Sequence, residues 1–335
     1  PDCFNCQLSV VVPPEKMFNE YLYVSSTNKT FREHFANLAN KLINDFSLKS
    51  NSFVVDIGSN DGVFLKPLQD KGIKIIGVDP AKNLSDIANQ NGIETIPDFF
   101  SENVVQQIVN DKGNADLVTA FNVFAHSDGL KDIAINVFKL LKRDGIFIIE
   151  VQYLLDTLKD TTFDNIYHEH VNYWTVTSLN NFLLKLDLQL FKVEHVNTHG
   201  GSIRAYIRRT LNSEIDISVS DFLTSEESFG IKELRVYKEF SMNIEKFKSS
   251  AVSKINEIKK SGKSIVGYGS PAKATTVLNY YGISNKDIDY IVEDNEMKHN
   301  LFLPGMKIPI KSKEEAFNSP PDFILVLAWN FLEDI

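Results

Sequence analysis

An alternation between residues 52 and 151 limits most strongly what this chain can fold into. Short apolar runs, SFVVDIG (52–58), IKIIGVD (73–79), GIETIP (92–97), ADLVTAFNV (115–123) and GIFIIEV (145–151), read as strands. Between them lie VFLKPLQDKG, LSDIANQNG, ENVVQQIVND and LKDIAINVFKLLKRDG (130–145), which carry a helical pattern. Nearly continuous apolar strands leave no polar face for water, so both faces of their sheet must be covered, and helices between successive strands cover them. The prediction is a parallel, Rossmann-like α/β sheet. Upstream, Phe31, Phe35, Leu38, Leu42 and Phe46 recur at steps of three and four, an amphipathic helix. Before that, QLSVVVPPEKMFNEYLY reads as a strand, a Pro-Pro turn and a short aromatic lead.

Past residue 185 the pattern changes. LDLQLFKVEHVNTHGGSIRAYIRRT predicts two antiparallel strands joined by a Gly-Gly turn. From Ser213 to Ser261 the spacing is helical, with Ile231, Leu234, Tyr237, Phe240, Ile244, Phe247, Ala251, Ile255 and Ile258 in phase, and predicts one long connecting helix. A second α/β unit begins at KSIVGYGSPAKATTVLNYYG and continues through IDYIVEDN to DFILVLAWN. At 335 residues the chain is long enough for two domains with separate cores.

The net charge of −9 argues against a general nucleic-acid binder, which needs a basic face. The most apolar run, Phe323 to Leu332, is about half the ~20 residues of a membrane span, and no secretory signal is visible. A cytoplasmic protein without membrane or nucleic-acid partners is expected. The two cysteines, Cys3 and Cys6, are spaced C-x-x-C, which is half a zinc site or a pair of reduced thiols.

VVDIGSNDGVFL lies where the first strand meets the first helix. Gly58 and Gly62 allow a ligand to approach the backbone, but positions 60 and 63 hold Asn60 and Val63, so the pyrophosphate fingerprint G-x-G-x-x-G is absent. The pattern runs from Asp56 through Gly58 and Asn60 to Gly62, with Asp79 ending the second strand, where an acid can accept both ribose hydroxyls of an adenosine. That combination suits a nucleoside without pyrophosphate, such as S-adenosylmethionine (SAM). Asp98 after the third strand is a candidate for the adenine amino group, and Asn122 after the fourth for the methionine part.

NIYHEHVNYW (165–174) concentrates titratable and aromatic groups. If it is a strand, His168 and His170 share one face and Glu169 the other, which is poor metal geometry; a third ligand would have to come from His126 or His199. A polar strand edge is the plain alternative. The segment follows the fifth strand, and His126 follows the fourth, on the side where a methyl donor would lie. Histidine with a carboxylate can remove a proton, and tyrosine hydroxyls can stabilise an oxyanion, a set suited to carbanion chemistry beside a carbonyl. THGGSIR, with His199, Gly200, Gly201 and Arg204, and GYGSPAKATT, with Tyr268 and Lys273, read as anion sites, Lys298 assisting.

CFNC, MFNEYLYVSS, REHF, DIGSNDG, DFF, IYHEH, HGGSIR, VGYGSPAKATT, LPGMKIPI and LAWNFLEDI occur in this order along essentially the whole chain. As a set they resemble the SAM-dependent sugar C-methyltransferases that build branched-chain deoxysugars, the group of the tetronitrose 3-C-methyltransferase. The resemblance implies a partial zinc module with the aromatic lead over 1–24, a SAM-binding domain over 25–212, and the long helix with a Rossmann-like nucleotide-sugar domain over 213–335. It implies methylation of a nucleoside-diphosphate 4-keto-deoxysugar at the carbon beside the ketone, through an enolate. Tyr21, His126, Tyr167, Glu169 and His170 fall on the family's active-site positions, and DFF adds Phe99 to the cofactor residues. The family's zinc module has two C-x-x-C pairs where this chain has one, and the family continues beyond LAWN. The alternatives are an O- or N-methyltransferase of a nucleotide sugar, or a non-catalytic nucleotide-sugar-binding protein. A monomer and a homodimer are both compatible with the long helix.

Overall fold

The computed structural model describes residues 3–332 apart from 22, 28, 199, 210–213 and 319. In chain order the elements are β1 (Cys6–Gln7), α1 (Pro14–Phe18), α2 (Lys29–Asp45), β2 (Phe53–Ile57), α3 (Leu65–Asp70), β3 (Lys74–Val78), α4 (Lys82–Gln90) and β4 (Thr95–Ile96). Then come α5 (Glu102–Lys112), β5 (Ala115–Phe121), α6 (Leu130–Leu140), β6 (Leu141–Gln152), α7 (Leu154–Asp160), β7 (Asn172–Tyr173), α8 (Val176–Leu184), β8 (Leu188–Val196) and β9 (Ser202–Arg209). The last are α9 (Ile217–Phe229), α10 (Leu234–Lys260), β10 (Ile265–Tyr268), α11 (Ala272–Tyr281), β11 (Ile291–Val292), β12 (Ile310–Lys311), α12 (Lys313–Phe317) and β13 (Phe323–Val326).

The chain divides into two compact units: Pro1–Leu154 with His168–Phe229, and Leu155–Tyr167 with Gly230–Ile335. The division falls at Gly230 rather than at 213, and residues 155–167 group with the second unit. In the first unit a seven-stranded sheet runs β4-β3-β2-β5-β6-β9-β8. Its strands are parallel except β9, which runs antiparallel to β6 and β8. Every residue of β2 is buried, as a strand covered on both faces requires. The strand order reverses between β2 and β5, and ligands of open α/β sheets bind at such a crevice. The second unit has its own parallel sheet, β12-β11-β10-β13, and a core that includes Ile255, Ile265, Leu278 and Leu327.

Four expectations are corrected. The helix predicted over 130–145 stops at Leu140, because Leu141 is already extended and pairs with Ala115 in the sheet. The single long helix is two: Gly230 adopts φ +83°, which breaks the helix while the apolar phase carries on through buried Ile231. Of the NIYHEHVNYW stretch only Asn172–Tyr173 is a strand, so strict alternation does not govern the histidines. The zinc module is not supported: β1 is the antiparallel partner of β7, and no group of three metal-ligating side chains occurs among the described residues. Two thiols are half of a tetrahedral set, so the residues present do not fit the metal. No helix among the described residues is long and apolar enough to cross a membrane.

Candidate active site

The loop after β2 is shaped by two glycines. Gly58 (φ +67°) and Gly62 (φ +83°) lie in the left-handed region, and an added Cβ would stand 2.5 Å from Val123 Cγ2 and from Ile93 Cδ1 respectively. Asn60 donates its backbone N–H to Asp79 Oδ2 (2.8 Å), and Ala81 donates to Asp79 Oδ1 (2.8 Å). Burial raises the pKa of the Asp79 carboxyl, these two N–H groups oppose the shift, and neighbouring Asp61 adds to it. Each Asp79 oxygen keeps a further lone pair for a ribose hydroxyl. Asp98 is exposed and accepts the Phe99 N–H (2.7 Å). Asn122, at φ +57°, donates its N–H to the Glu150 carbonyl (2.7 Å).

Asp56 is placed differently from the expectation of a cofactor contact. It lies inside the sheet, accepts the Thr119 hydroxyl at 2.6 Å, and is pushed up to about 8 by burial, with Asp79 adding to the rise against the Thr119 bond. Asp61 is a functional candidate that sequence reasoning passed over. It is buried, its Oδ2 accepts the Ser26 N–H (3.2 Å), and its Oδ1 has no hydrogen-bond partner among the described residues. A sealed, unsatisfied carboxylate oxygen beside a glycine loop fits a cationic ligand group such as an ammonium. Its only sequence signal was the acid in SNDG.

The acid–base cluster is assembled by the loop after β5. Asn172 donates its N–H to Ala125 O (3.0 Å) and its side-chain amide to Ser127 O (2.6 Å), and Trp174 Nε1 donates to Phe124 O (2.9 Å). These bonds bring His126 and His170 edge to face, ring centroids 5.0 Å apart. His170 is buried. Burial depresses the His126 imidazole to about 4, against a hydrogen bond to the Glu169 backbone, and its Nδ1 is sealed without a partner among the described residues. Glu169 Oε2 accepts the Tyr21 hydroxyl at 2.9 Å. Phe18 packs its ring against both Tyr21 (5.7 Å) and His126 (5.8 Å). The glycine loop and this cluster share the segment that follows β5: Val123 closes on Gly58, and the Val123 carbonyl accepts the His126 N–H (2.9 Å). His168 is exposed, and Tyr167 is half-buried and groups with the second unit.

The anion-site residues are committed within the protein. Arg204 is buried and donates to Glu150 through Nε (3.1 Å) and Nη2 (2.7 Å), with Glu194 at 3.4 Å from Nη1. Burial pushes Glu150 up, but the neighbouring His34 and the hydrogen-bonded Arg204 outweigh it and hold the carboxyl at about 2. Thr198 also donates to Glu150 (3.0 Å), so this pair braces the turn at Gly200 and Gly201; His199 lies outside the described residues. In the second unit Tyr268 donates to Asp294, and Ser270 gives its N–H (2.8 Å) to Glu293, whose Oε2 is 3.6 Å from the Lys298 ammonium. Lys273 is buried over the Trp329 ring, and desolvation lowers its pKa to about 8 against the charge of Asp164. A cavity of about 120 Å³ beside Asp164, Tyr281 and Trp329 is otherwise apolar and carries no acid–base pair.

A glycine loop at the switch point of a parallel sheet and an acid closing the next strand, in a chain that matches methyltransferase families, mark a SAM-dependent methyltransferase. Residues 31–193 match the methyltransferase domain family, and residues 197–335 match the C-methyltransferase C-terminal domain. Over 334 residues, 99% of this chain and 80% of the relative, the sequence is 34% identical to the C-methyltransferase NovU of Streptomyces niveus. The ubiquinone biosynthesis O-methyltransferase of Pelagibacter ubique (strain HTCC1062) is 24% identical over 139 residues, 40% of this chain and 57% of that protein. Among solved structures, magnesium protoporphyrin IX methyltransferase from Synechocystis PCC 6803 with bound SAH aligns at a TM-score of 0.42 and 15% identity, covering 53% of this chain and 83% of that one. The chain belongs to the C-methyltransferase family.

Proposed function

We propose that the protein methylates a nucleoside-diphosphate 4-keto-deoxysugar at the carbon beside the ketone. The observation that carries this reading is the pairing of the His126 and His170 imidazoles beside the Tyr21–Glu169 contact, with His126 on the segment whose Val123 closes on Gly58. Bound SAM supplies an electrophilic methyl group. Gly58 and Gly62 give the loop its left-handed turns and let it pack against Val123 and Ile93, Asp79 accepts ribose hydroxyls, and Asp61 Oδ1 takes the ammonium. An ordinary sugar C–H is far too weakly acidic to lose, whereas one beside a ketone gives an enolate. His170 removes that proton, because burial depresses His126 to about 4 and makes it a weak base. Glu169 holds the Tyr21 hydroxyl at the cluster, and Tyr167 donates to the developing oxyanion, a contact whose loss costs ~100-fold or more in rate.

Mass spectrometry of the protein with SAM and a panel of nucleotide 4-keto-sugars tests the reading. One compound gains a single methylene, and in D₂O without SAM its α-carbon exchanges. A product methylated on oxygen or nitrogen, with no exchange, would overturn it. His170→Asn and Tyr167→Phe are expected to cut turnover while SAM affinity is nearly unchanged. Full activity of either variant removes that residue's role.

A further inference from the structure

Tyr21 reaches Glu169 from a stretch with little regular structure, so something must fix its backbone. Asn83, in the first turn of α4, meets both polar groups of that backbone. The Tyr21 N–H donates to Asn83 Oδ1 (3.2 Å), and Asn83 Nδ2 donates to the Tyr21 carbonyl (2.8 Å). Lys82 adds its own N–H to the Asn19 carbonyl (3.4 Å), so residues just before Tyr21 take up an α4 donor that no side chain caps. On the other side Asn60 does the same work from the glycine loop, donating to Tyr23 O (3.0 Å) and accepting from Ser25 N (3.0 Å).

A carboxamide is the short side chain that offers an acceptor and a donor in one plane, matched to the N–H and C=O of a single residue. A carboxylate lacks the donor. Asparagine is also a poor helix former and Asn83 is exposed, so neither propensity nor burial accounts for it. We infer that Asn83 is a positioning residue: its two-bond clamp on the Tyr21 backbone sets the phenol against Glu169. The inference rests on the role proposed above for the Tyr21–Glu169 pair, and it extends control of the acid–base cluster to a helix that contributes no group to it.

The test is Asn83→Ala alone and in a Tyr21→Phe background, with kcat, KM, SAM affinity and backbone hydrogen exchange measured in the intact protein. Asn83→Ala is expected to lose protection at the Tyr21 amide and to lower kcat about 10-fold, equivalent to about 1.4 kcal/mol, with SAM affinity and KM little changed. In the Tyr21→Phe background the same substitution should change kcat less than about twofold, because the two changes act through one group. Asn83→Asp, which keeps the acceptor, should retain the amide protection and fall between the two in turnover. Two results overturn the inference: full turnover in Asn83→Ala while Tyr21→Phe is impaired, or effects that multiply independently. If Tyr21→Phe is itself fully active, the role of Tyr21 fails first and the clamp loses its target; its kcat distinguishes the two failures.

Discussion

Asp56 shows how one side chain can record its surroundings as a pH dependence. Burial is the largest cause of its shift to about 8 from an ordinary 3.8, and the Thr119 hydroxyl only partly opposes it. Between these values the folded chain holds a proton that the unfolded chain has released, so stability falls as pH rises through that window. The contribution is fully present below the unfolded value and lost above about 8. Asp56→Asn keeps an acceptor for Thr119 and removes the titration. Thermal unfolding should show the variant gaining on the native chain from pH 5 to pH 8; a constant difference across that range would mean Asp56 is ionised throughout. The same residue shows where sequence reading stops. Its position in D-x-G-x-N-x-G was legible, but that its side chain faces Thr119 in β5 was not. Arg204 was misread for the same reason, since its partner Glu150 is in a neighbouring strand.

At the scale of elements, β2 to β6 were legible because a buried parallel strand has a continuous apolar signature. The 165–174 stretch was not, because its conformation depends on the Phe124 and Ser127 carbonyls, which no local pattern reveals. Helix α8 presents a further case. Its Thr175–Ser178 capping box is visible in sequence, but Glu226, from α9, is not. Glu226 is 0% exposed and accepts the Tyr153 hydroxyl (2.9 Å) and the N–H groups of Val176 (2.6 Å) and Thr177 (2.8 Å). A carboxylate at a helix N-terminus meets unpaired donors and the positive end of the helix dipole. Glu226→Gln places an NH₂ against one of those donors, so a loss of about 2–3 kcal/mol is expected from urea unfolding. An unchanged midpoint would show that water or a local shift replaces the carboxylate.

Across the whole molecule, the chain passes between its units more than once. Residues 155–167 leave the first unit, join the second and return at His168, directly before the acid–base cluster. Within the second unit this excursion is held by Phe163, stacked on Tyr281 (5.5 Å) and packed against Tyr280 (5.6 Å), and by Asp164, which accepts Trp329 Nε1 at 2.6 Å. The contacts are local to one core, so their loss should be felt by that core first. Phe163→Ala is expected to cost the second unit about 3 kcal/mol or more, the usual cost of truncating a buried aromatic ring. Hydrogen exchange reads this directly: amides of α11 and β10 should exchange faster, while those of β2 and β5 keep their protection. Equal acceleration in both sheets would show instead that the units unfold together, because the doubled connection through 154–168 makes them one cooperative structure. In that event a substitution meant to loosen the second unit would also loosen the β5 loop carrying His126, and its effect on turnover could not be credited to the second unit alone.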